Sequence, residues 1–242
     1  EETNKPKTIR YEEIKSIKEI GIQDTYDIQV EHKDQNFIAN GFIVHNSKLD
    51  GFGHPKDYIE KAEELGFKYI AITDHGNIDG LIKLQQACKD SKVKPIFGCE
   101  AYLTKDFKDK TNLHISIWIK NQKGFKNLCK MLSIANLKGF YRRPRIDFKT
   151  LIKHRKGLIF GTACLKSFVR MEGGEEFFKK LKSKVGDDLY IEIMPHDTEE
   201  QIKHNRLMVK LGKRTNTKII ATNDCHYPNK KDHRIQEMML AI

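Results

Sequence analysis

Along residues 47–242, short apolar segments typical of β-strands alternate with segments whose apolar residues recur at helical spacing. Strands separated by helices usually lie parallel, because the chain crosses back over the sheet before it adds the next strand. The alternation therefore predicts an α/β fold with a closed parallel sheet. The predicted strands are residues 68–73, 94–103, 113–120, 157–162, 188–194 and 218–222. The predicted helices are residues 55–66, 78–90, 122–137, 175–185, 198–215 and 231–242.

Composition limits the classes of protein that this chain can belong to. With 242 residues, of which 38% are hydrophobic, it can bury one core and a small appendage. No apolar run reaches the ~18 residues of a membrane span, and the first residues form no signal peptide, so we expect a cytoplasmic protein with no membrane partner. The net charge of +11 suits a phosphate-rich partner, but it equally fits lysines spread over solvated faces. The cysteines are odd in number and lack a C-x-x-C pair, which disfavours a disulfide framework or a zinc ribbon.

A set of polar side chains follows the predicted strands, at the end where a parallel α/β barrel carries its active face. They are Asp74, His75, Glu100, Cys164, Asp224 and His226. Converging histidine, carboxylate and cysteine side chains are ligands for borderline divalent metals such as Zn, Mn or Fe. Strand alternation would place Asp224 and His226 on one face and turn Cys225 to the other, as a packing residue. The remaining cysteines are expected to act as small hydrophobes; they are Cys88, Cys99 and Cys129.

The segment before residue 47 has a different character. Residues 26–30 alternate as a strand does. Asn40-Gly41 stands between the apolar runs 37–39 and 42–44, which is a strong hairpin signal. Residues 1–46 are therefore predicted to be a small β-rich domain, separate from residues 47–242.

His45, Asn46 and Ser47 follow this β-rich segment in an order that suits peptide-bond cleavage. The Asn46 carboxamide can attack its own main-chain carbonyl to form a succinimide. His45 can donate a proton to the departing nitrogen, and the Ser47 hydroxyl can accept an acyl group. The alternative interpretation is an ordinary polar turn before a barrel strand.

Residues 1–46 resemble the C-terminal end of an intein, which implies a small all-β HINT-type segment with His45, Asn46 and Ser47 as its splicing residues. Gln35 stands where inteins usually carry a further histidine, and His32 is nearby but out of register. Forty-six residues are too few for a complete intein, so the resemblance implies the C-terminal half of a split intein. That half would work in trans with an N-terminal intein half; a truncated contiguous intein is the alternative.

Residues 47–242 resemble the polymerase-and-histidinol-phosphatase (PHP) domains of bacterial DNA polymerase III alpha subunits. The resemblance rests on the motifs at residues 49–51, 72–77, 98–102, 121–128, 139–147 and 222–227. It implies a distorted (β/α) barrel with a multinuclear cluster of divalent metals, Zn, Mn or Fe. It also implies phosphoesterase or 3′–5′ exonuclease activity on DNA, among other replisome subunits. The metal ligands implied by position are Asp50, His75, Glu100, His114, Cys164, Asp224 and His226, with Asp74 behind them.

One departure from the PHP pattern concerns the first strand. The family carries a His-x-His pair just before the segment matching residues 48–51, and intein-like sequence stands there instead. The first barrel strand and two ligands are then expected to come with the N-terminal intein half, and no polymerase core follows within residues 47–242. Two alternatives stay open: a metal-binding scaffold without turnover, and a stand-alone PHP phosphatase acting on a small phosphate ester.

Overall fold

The computed structural model describes residues 36–39, 42–45 and 52–240. The chain divides into two units, Glu1–Asn46 and Ser47–Ile242. In the first unit, β1 (Asn36–Ala39) pairs antiparallel with β2 (Phe42–His45), with Ala39 opposite Phe42. This pairing confirms the predicted hairpin. The strand predicted at residues 26–30 lies outside the described residues, as do Asn46, Ser47 and Asp50.

The second unit alternates strands and helices as predicted. Its strands are β3 (Tyr69–Ile72), β4 (Lys94–Thr104), β5 (Leu113–Ile119), β6 (Arg145–Asp147), β7 (Leu158–Gly161), β8 (Leu189–Ile193) and β9 (Ile219–Ala221). Its helices are α1 (Pro55–Glu64), α2 (Gly80–Ala87), α3 (Gln122–Leu137), α4 (Phe148–His154), α5 (Gly174–Val185), α6 (Glu199–Thr215) and α7 (His233–Leu240). Short 3₁₀ turns occupy Phe168–Arg170, Gly186–Asp188 and Lys230–Asp232. None of the helices in residues 52–240 combines the length and the apolar composition that crossing a bilayer requires.

The strands form one curled half-barrel sheet in the order β3-β4-β5-β7-β8-β9, with β6 paired to β4. The prediction of an all-parallel sheet is wrong at β5, which runs antiparallel to both β4 and β7. The reason is local: residues 105–112 connect β4 to β5 without a helix, so the chain turns back beside the strand it has just left. Among the described strands, β3 and β9 are not paired, so the predicted closure is not seen there.

The core lies between the sheet and its covering helices. Asn121 caps the helix α3 by accepting the Gly124 N–H at 3.1 Å, and the helix buries Leu128, Met131 and Ala135 against the sheet. Each large apolar side chain removed from water in this way contributes roughly 1.5–3 kcal/mol. A fully packed layer therefore holds the strand ends in fixed positions.

The sequence analysis missed β6 and α4 because each is short. The two join at Asp147, which caps α4 by accepting the Thr150 N–H at 2.8 Å. The cysteine predictions are confirmed for Cys88 and Cys99, which are buried. The prediction for Cys225 is wrong: this residue is exposed, in a loop beyond the last strand.

Candidate metal centre

Three side chains from neighbouring strands meet at one end of the sheet. His75 lies three residues beyond β3, Glu100 lies in β4, and His114 lies near the start of β5. Main-chain bonds fix the His75 turn against β4, because Glu100 N–H donates to the Asp74 carbonyl at 3.0 Å and Gly76 N–H donates to the Glu100 carbonyl at 2.9 Å. The left-handed backbone of Gly76 (φ +67°) makes that turn, as glycine does without steric cost. The three side chains therefore lie close together because β3, β4 and β5 are neighbours in the sheet.

The Glu100 carboxylate stands between the two imidazole rings. One oxygen lies 2.9 Å from His114 Nδ1 and the other 3.3 Å from His75 Nδ1. Glu100 and His114 are only 6% and 5% exposed, while His75 is half-buried. Burial alone would raise the pKa of Glu100, but the hydrogen bond from His114 and the charge of His75 outweigh it and lower that pKa. Glu100 therefore remains a carboxylate in spite of its burial.

Cys164 joins this set from the loop after β7. Its Sγ lies 3.3 Å from His114 Nδ1. Burial, followed by the negative charge of Glu100, raises the pKa of Cys164 to about 12, so without a bound cation the group is a thiol. The preceding residue, Ala163, has a left-handed backbone (φ +57°), a conformation unusual for a residue with a Cβ.

Asp224 and His226 lie in the loop beyond β9. Burial and the charge of Glu100 raise the pKa of Asp224, with His226 and His75 acting in the opposite direction. His226 donates from Nδ1 to the Asp224 carbonyl at 2.8 Å, which leaves Nε2 as the acceptor nitrogen of the neutral ring. Asp224 and His226 are half-buried while Cys225 between them is exposed, as expected if the pair shares one face. Strand alternation is not the cause, because Asp224 has a left-handed backbone (φ +52°) and the extended strand has already ended.

Some of the predicted site residues lie close together, and others fall outside the described residues. His75, Glu100 and His114 offer ligand atoms that all lie within 4.8 Å of one another. Cys164 contacts this group, and Asp224 is close enough for the charges of Glu100 and His75 to shift its pKa. Asp74 accepts the Gly80 N–H at 2.9 Å and so fixes the start of α2 behind His75. Asp50, Asn46 and Ser47 lie outside the described residues, and β2 ends at His45.

Sequence reasoning missed Glu192, a buried carboxylate in β8. Only 3% exposed, it accepts the Ala163 N–H at 2.7 Å and the Thr222 hydroxyl at 3.0 Å. One carboxylate thus connects the loop that carries Cys164 to the segment that leads to Asp224. The available signal was a lone acidic residue inside an otherwise apolar strand, which must find buried partners.

Gly161 in β7 makes room for this connection. A Cβ at that position would collide with Glu192 Oε1 and would lie 2.6 Å from the Trp118 ring. Any larger residue would therefore displace the carboxylate.

The donor set fits a divalent metal. Imidazole nitrogen, carboxylate oxygen and thiolate sulfur are the ligands that zinc and similar ions prefer, at roughly 2.0–2.3 Å from the ion. Ligand atoms within 4.8 Å of one another can share such an ion with little movement. A buried carboxylate between two histidines is also a common arrangement around metals, since it orients the rings.

Comparison with known proteins identifies the family. A family profile described as the PHP domain matches residues 44–196, more than half of the chain. The DNA polymerase III subunit alpha of Aquifex aeolicus is 38% identical over 228 residues, which cover 86% of this chain and 20% of that protein. The subunit of the same name from Borreliella burgdorferi is 36% identical over 211 residues, covering 81% of this chain and 18% of its own length. The chain thus spans about a fifth of the length of these curated relatives.

A solved structure shows the same fold. The Bifidobacterium adolescentis protein, assigned as a metal-dependent phosphoesterase, superposes with a TM-score of 0.53 and 14% identity over 73% of this chain and 84% of its own. At that identity the likeness concerns the fold alone. The family profile and the sequence relatives carry the assignment: the chain belongs to the PHP domain family and is homologous to DNA polymerase III alpha subunits.

Proposed function

We propose that residues 47–242 form a metal-dependent phosphoesterase centre that acts as a 3′–5′ exonuclease within a replicative DNA polymerase III alpha subunit. The observation that carries this proposal is the buried set of His75, Glu100 and His114, with Cys164 in contact with it. The relatives named DNA polymerase III subunit alpha support a replication context, with DNA as substrate and other replisome subunits as partners.

The residues of the chain have distinct parts in this chemistry. His75, Glu100, His114 and Cys164 would hold divalent metal, with Asp50, Asp224 and His226 as the further ligands of a multinuclear Zn, Mn or Fe cluster. A divalent metal bound there supplies charge for the phosphate oxygens and lowers the pKa of a bound water. Glu100 orients both rings, and burial keeps bulk water away from its carboxylate.

Hydrolysis by the metal-loaded product of splicing, purified after the chain has reacted with its N-terminal intein half, tests the proposal. We expect release of mononucleotides from the 3′ end of a single-stranded oligonucleotide, and loss of that activity together with bound metal in Glu100→Gln. The exposed Glu199→Gln in α6 is a matched control that should keep both. Full metal binding with no hydrolysis would support the alternative of a metal-binding scaffold. A strong preference for a small phosphate ester over the oligonucleotide would support a stand-alone phosphatase.

We also propose that residues 1–46 are the C-terminal half of a split intein, which is excised at the bond between Asn46 and Ser47. Two observations support this: the hairpin of β1 and β2 ends at His45, and the boundary between the two units falls between Asn46 and Ser47. In the cleavage step the Asn46 amide nitrogen bonds to its own carbonyl carbon and the bond to Ser47 breaks. His45 protonates the departing Ser47 nitrogen, and the product is a C-terminal succinimide.

The partner of this reaction is an N-terminal intein half that carries the first PHP strand and its His-x-His pair. Splicing would then both join the chain and complete the metal centre. Intact mass after mixing the two halves tests the proposal: residues 1–46 should be lost and the N-terminal segment gained, and Asn46→Ala should prevent both changes. The absence of a ligated product from a folded, associated pair would overturn the splicing assignment. A wild-type nuclease rate in the unspliced chain would contradict the link between splicing and metal binding.

A further inference from the structure

A loop beside the metal centre exposes aromatic rings among cationic side chains. We call residues 140–143 the aromatic–basic loop; its sequence is Phe-Tyr-Arg-Arg. Phe140 is 58% exposed and Tyr141 is 37% exposed. Single exposed apolar residues are common, but two adjacent exposed rings beside two arginines form a patch of the kind that marks contact with another molecule.

The buried side chain of Arg145 holds this loop in place. The buried Arg145 donates from Nε to the Gly139 carbonyl at 2.9 Å and from Nη2 to the Phe107 carbonyl at 3.3 Å, and its Nη1 contacts the Asp109 carbonyl. One guanidinium therefore joins the aromatic–basic loop to residues 105–111 between β4 and β5. A surface fixed in this way loses little conformational entropy when it binds a partner.

Several cations surround the Tyr141 ring. Lys110 Nζ lies 5.4 Å from the ring centroid, the Arg142 guanidinium lies 5.7 Å from it, and the Arg145 guanidinium lies 5.4 Å from it. Arg142 has a left-handed backbone (φ +59°), a conformation that costs a non-glycine residue of order 1 kcal/mol and that tends to persist at functional sites.

The acidic residues near the loop do not neutralise these charges. Asp109 accepts the Thr111 N–H at 3.0 Å and the Thr111 hydroxyl at 2.7 Å. Asp106 accepts the N–H groups of Lys108 and Asp109 at 2.7 and 3.2 Å. Both carboxylates are held by their own backbone, and residues 105–110 and 140–145 together carry six basic side chains against these two acidic ones, so the surface has a net positive charge.

The loop also adjoins the metal centre directly. The Arg143 guanidinium lies 5.7 Å from the Tyr102 ring, and that ring stacks on His75 at 5.7 Å with an interplanar angle of 15°. A Cβ on Gly76 would lie 2.9 Å from Pro144 and 3.0 Å from Tyr102, so the loop packs against the turn that carries His75. One aromatic ring therefore separates Arg143 from a predicted ligand.

We infer that the aromatic–basic loop binds single-stranded nucleic acid and leads its end to the metal centre. Bases stack on Phe140 and Tyr141, while Lys110, Arg142 and Arg143 contact the phosphates. Exposed rings in a positively charged groove are the general means of binding single strands without sequence preference. A small phosphate ester would not reach these residues, so the inference rests on the proposed function and narrows its substrate to a polymer.

The inference is tested by measuring, through fluorescence anisotropy, how tightly the full chain binds a labelled oligothymidylate. No metal is added, so that binding is measured without hydrolysis. Tyr141→Leu removes the stacking ring while keeping an apolar side chain, and it should weaken binding about 5-fold or more. The double variant Arg142→Gln with Arg143→Gln should weaken binding and also reduce the slope of log binding constant against log salt concentration by about 1.4. Each lost phosphate contact on a single strand removes ~0.7 from that slope. Lys210→Gln with Lys213→Gln, two exposed lysines of α6, removes the same charge and should leave affinity and slope unchanged.

Hydrolysis separates this inference from the proposed function. In the metal-loaded product of splicing, the loop variants should lower kcat/KM for the oligonucleotide more than for a chromogenic thymidine phosphodiester. If neither substrate is hydrolysed, the proposed exonuclease fails, while the anisotropy data still decide the inference. The inference is overturned if the wild-type chain does not bind the oligonucleotide, or if the loop variants behave like the α6 control in spite of native circular dichroism spectra. Capture of an acidic protein by this loop without nucleic-acid binding would overturn it as well.

Discussion

Replacement of Glu192 tests how the loops of the metal centre are held. Its two carboxylate oxygens accept from Ala163 N–H and from the Thr222 hydroxyl, and the Ser116 hydroxyl also hydrogen-bonds to it. Glu192→Met has a similar length but accepts no strong hydrogen bond, so the Ala163 N–H is left buried and unpaired. Each such group costs about 1–3 kcal/mol. Part of this is offset because an acidic group no longer has to be buried, so we expect a net loss of about 1–2 kcal/mol of unfolding free energy.

Glu192→Gln is the matched control for this prediction. Its amide oxygen can still accept the Ala163 N–H, and the Thr222 hydroxyl can rotate to accept from the new NH₂ group. The expected loss of stability is therefore below about 1 kcal/mol. The left-handed backbone of Ala163 should also stay in place, because the bond that holds it is kept.

Two assays measure the outcome. Urea unfolding at neutral pH gives the stability difference, and competition with a chromogenic chelator gives the metal affinity. Glu192→Met should lower metal affinity about 10- to 100-fold, as is typical when a residue behind the ligands is lost, while Glu192→Gln should lower it by much less. Equal effects of the two variants, or an unchanged metal affinity in Glu192→Met, would refute the view that this carboxylate positions the Cys164 loop.

Three further predictions follow from the described residues. Burial raises the pKa of Cys164 to about 12, so in the metal-free chain at pH 8 only about one Cys164 side chain in 10⁴ is a thiolate. Iodoacetamide should therefore modify Cys164 at least about 100-fold more slowly than the exposed Cys225. Equal modification rates of the two cysteines in a peptide map would contradict this. Burial lowers the pKa of His204, and neither of its ring nitrogens has a hydrogen-bond partner within residues 52–240. The unfolded chain therefore binds a proton at this histidine more readily than the folded chain does. The free energy of unfolding should fall as the pH drops below 6.5. Between pH 7.5 and 5.5 this group contributes at most about 1.4 kcal/mol, and His204→Leu should remove that part of the pH dependence in urea titrations. Gly161→Ala should destabilise the chain and lower its metal affinity, because the added methyl group displaces Glu192; a wild-type thermal midpoint with full metal affinity would rule this out.

Much of the metal centre was predictable because residues able to bind metal directly follow the apolar runs that form strands. His75 and Cys164 each follow an apolar run closely, and sheet geometry brings such positions together. The helix α3 was predicted at its observed bounds, since Asn121 caps its first turn and apolar spacing continues to its end. These signals are local, so they can be read from a few consecutive residues.

The parts that were missed depend on contacts between distant residues. The direction of β5 is set by which strands it joins, and apolar alternation is the same in a parallel or an antiparallel strand. Glu192 connects two loops of the metal centre through hydrogen-bond partners about 30 residues away on either side, so its neighbours in the sequence do not reveal this role. Cys225 is exposed in a loop whose backbone is left-handed at Asp224; aspartate adopts that conformation more often than most residues, but its propensity alone does not fix where it does so.

One hydrogen bond at the edge of the second unit bears on the order of folding. Phe52 N–H donates to the His226 carbonyl at 2.7 Å, joining positions about 170 residues apart, and the Phe52 carbonyl accepts from the Tyr58 hydroxyl at 2.9 Å. Contacts of such long sequence separation form late, because the entropy of closing a long loop is lost before the contact is gained. His75, Glu100 and His114 lie within 40 residues of one another and can assemble while the ribosome is still making the chain. Among the predicted ligands, Asp224 and His226 are synthesised last, so a nascent chain would pass through a stage in which the other five have been made and these two have not.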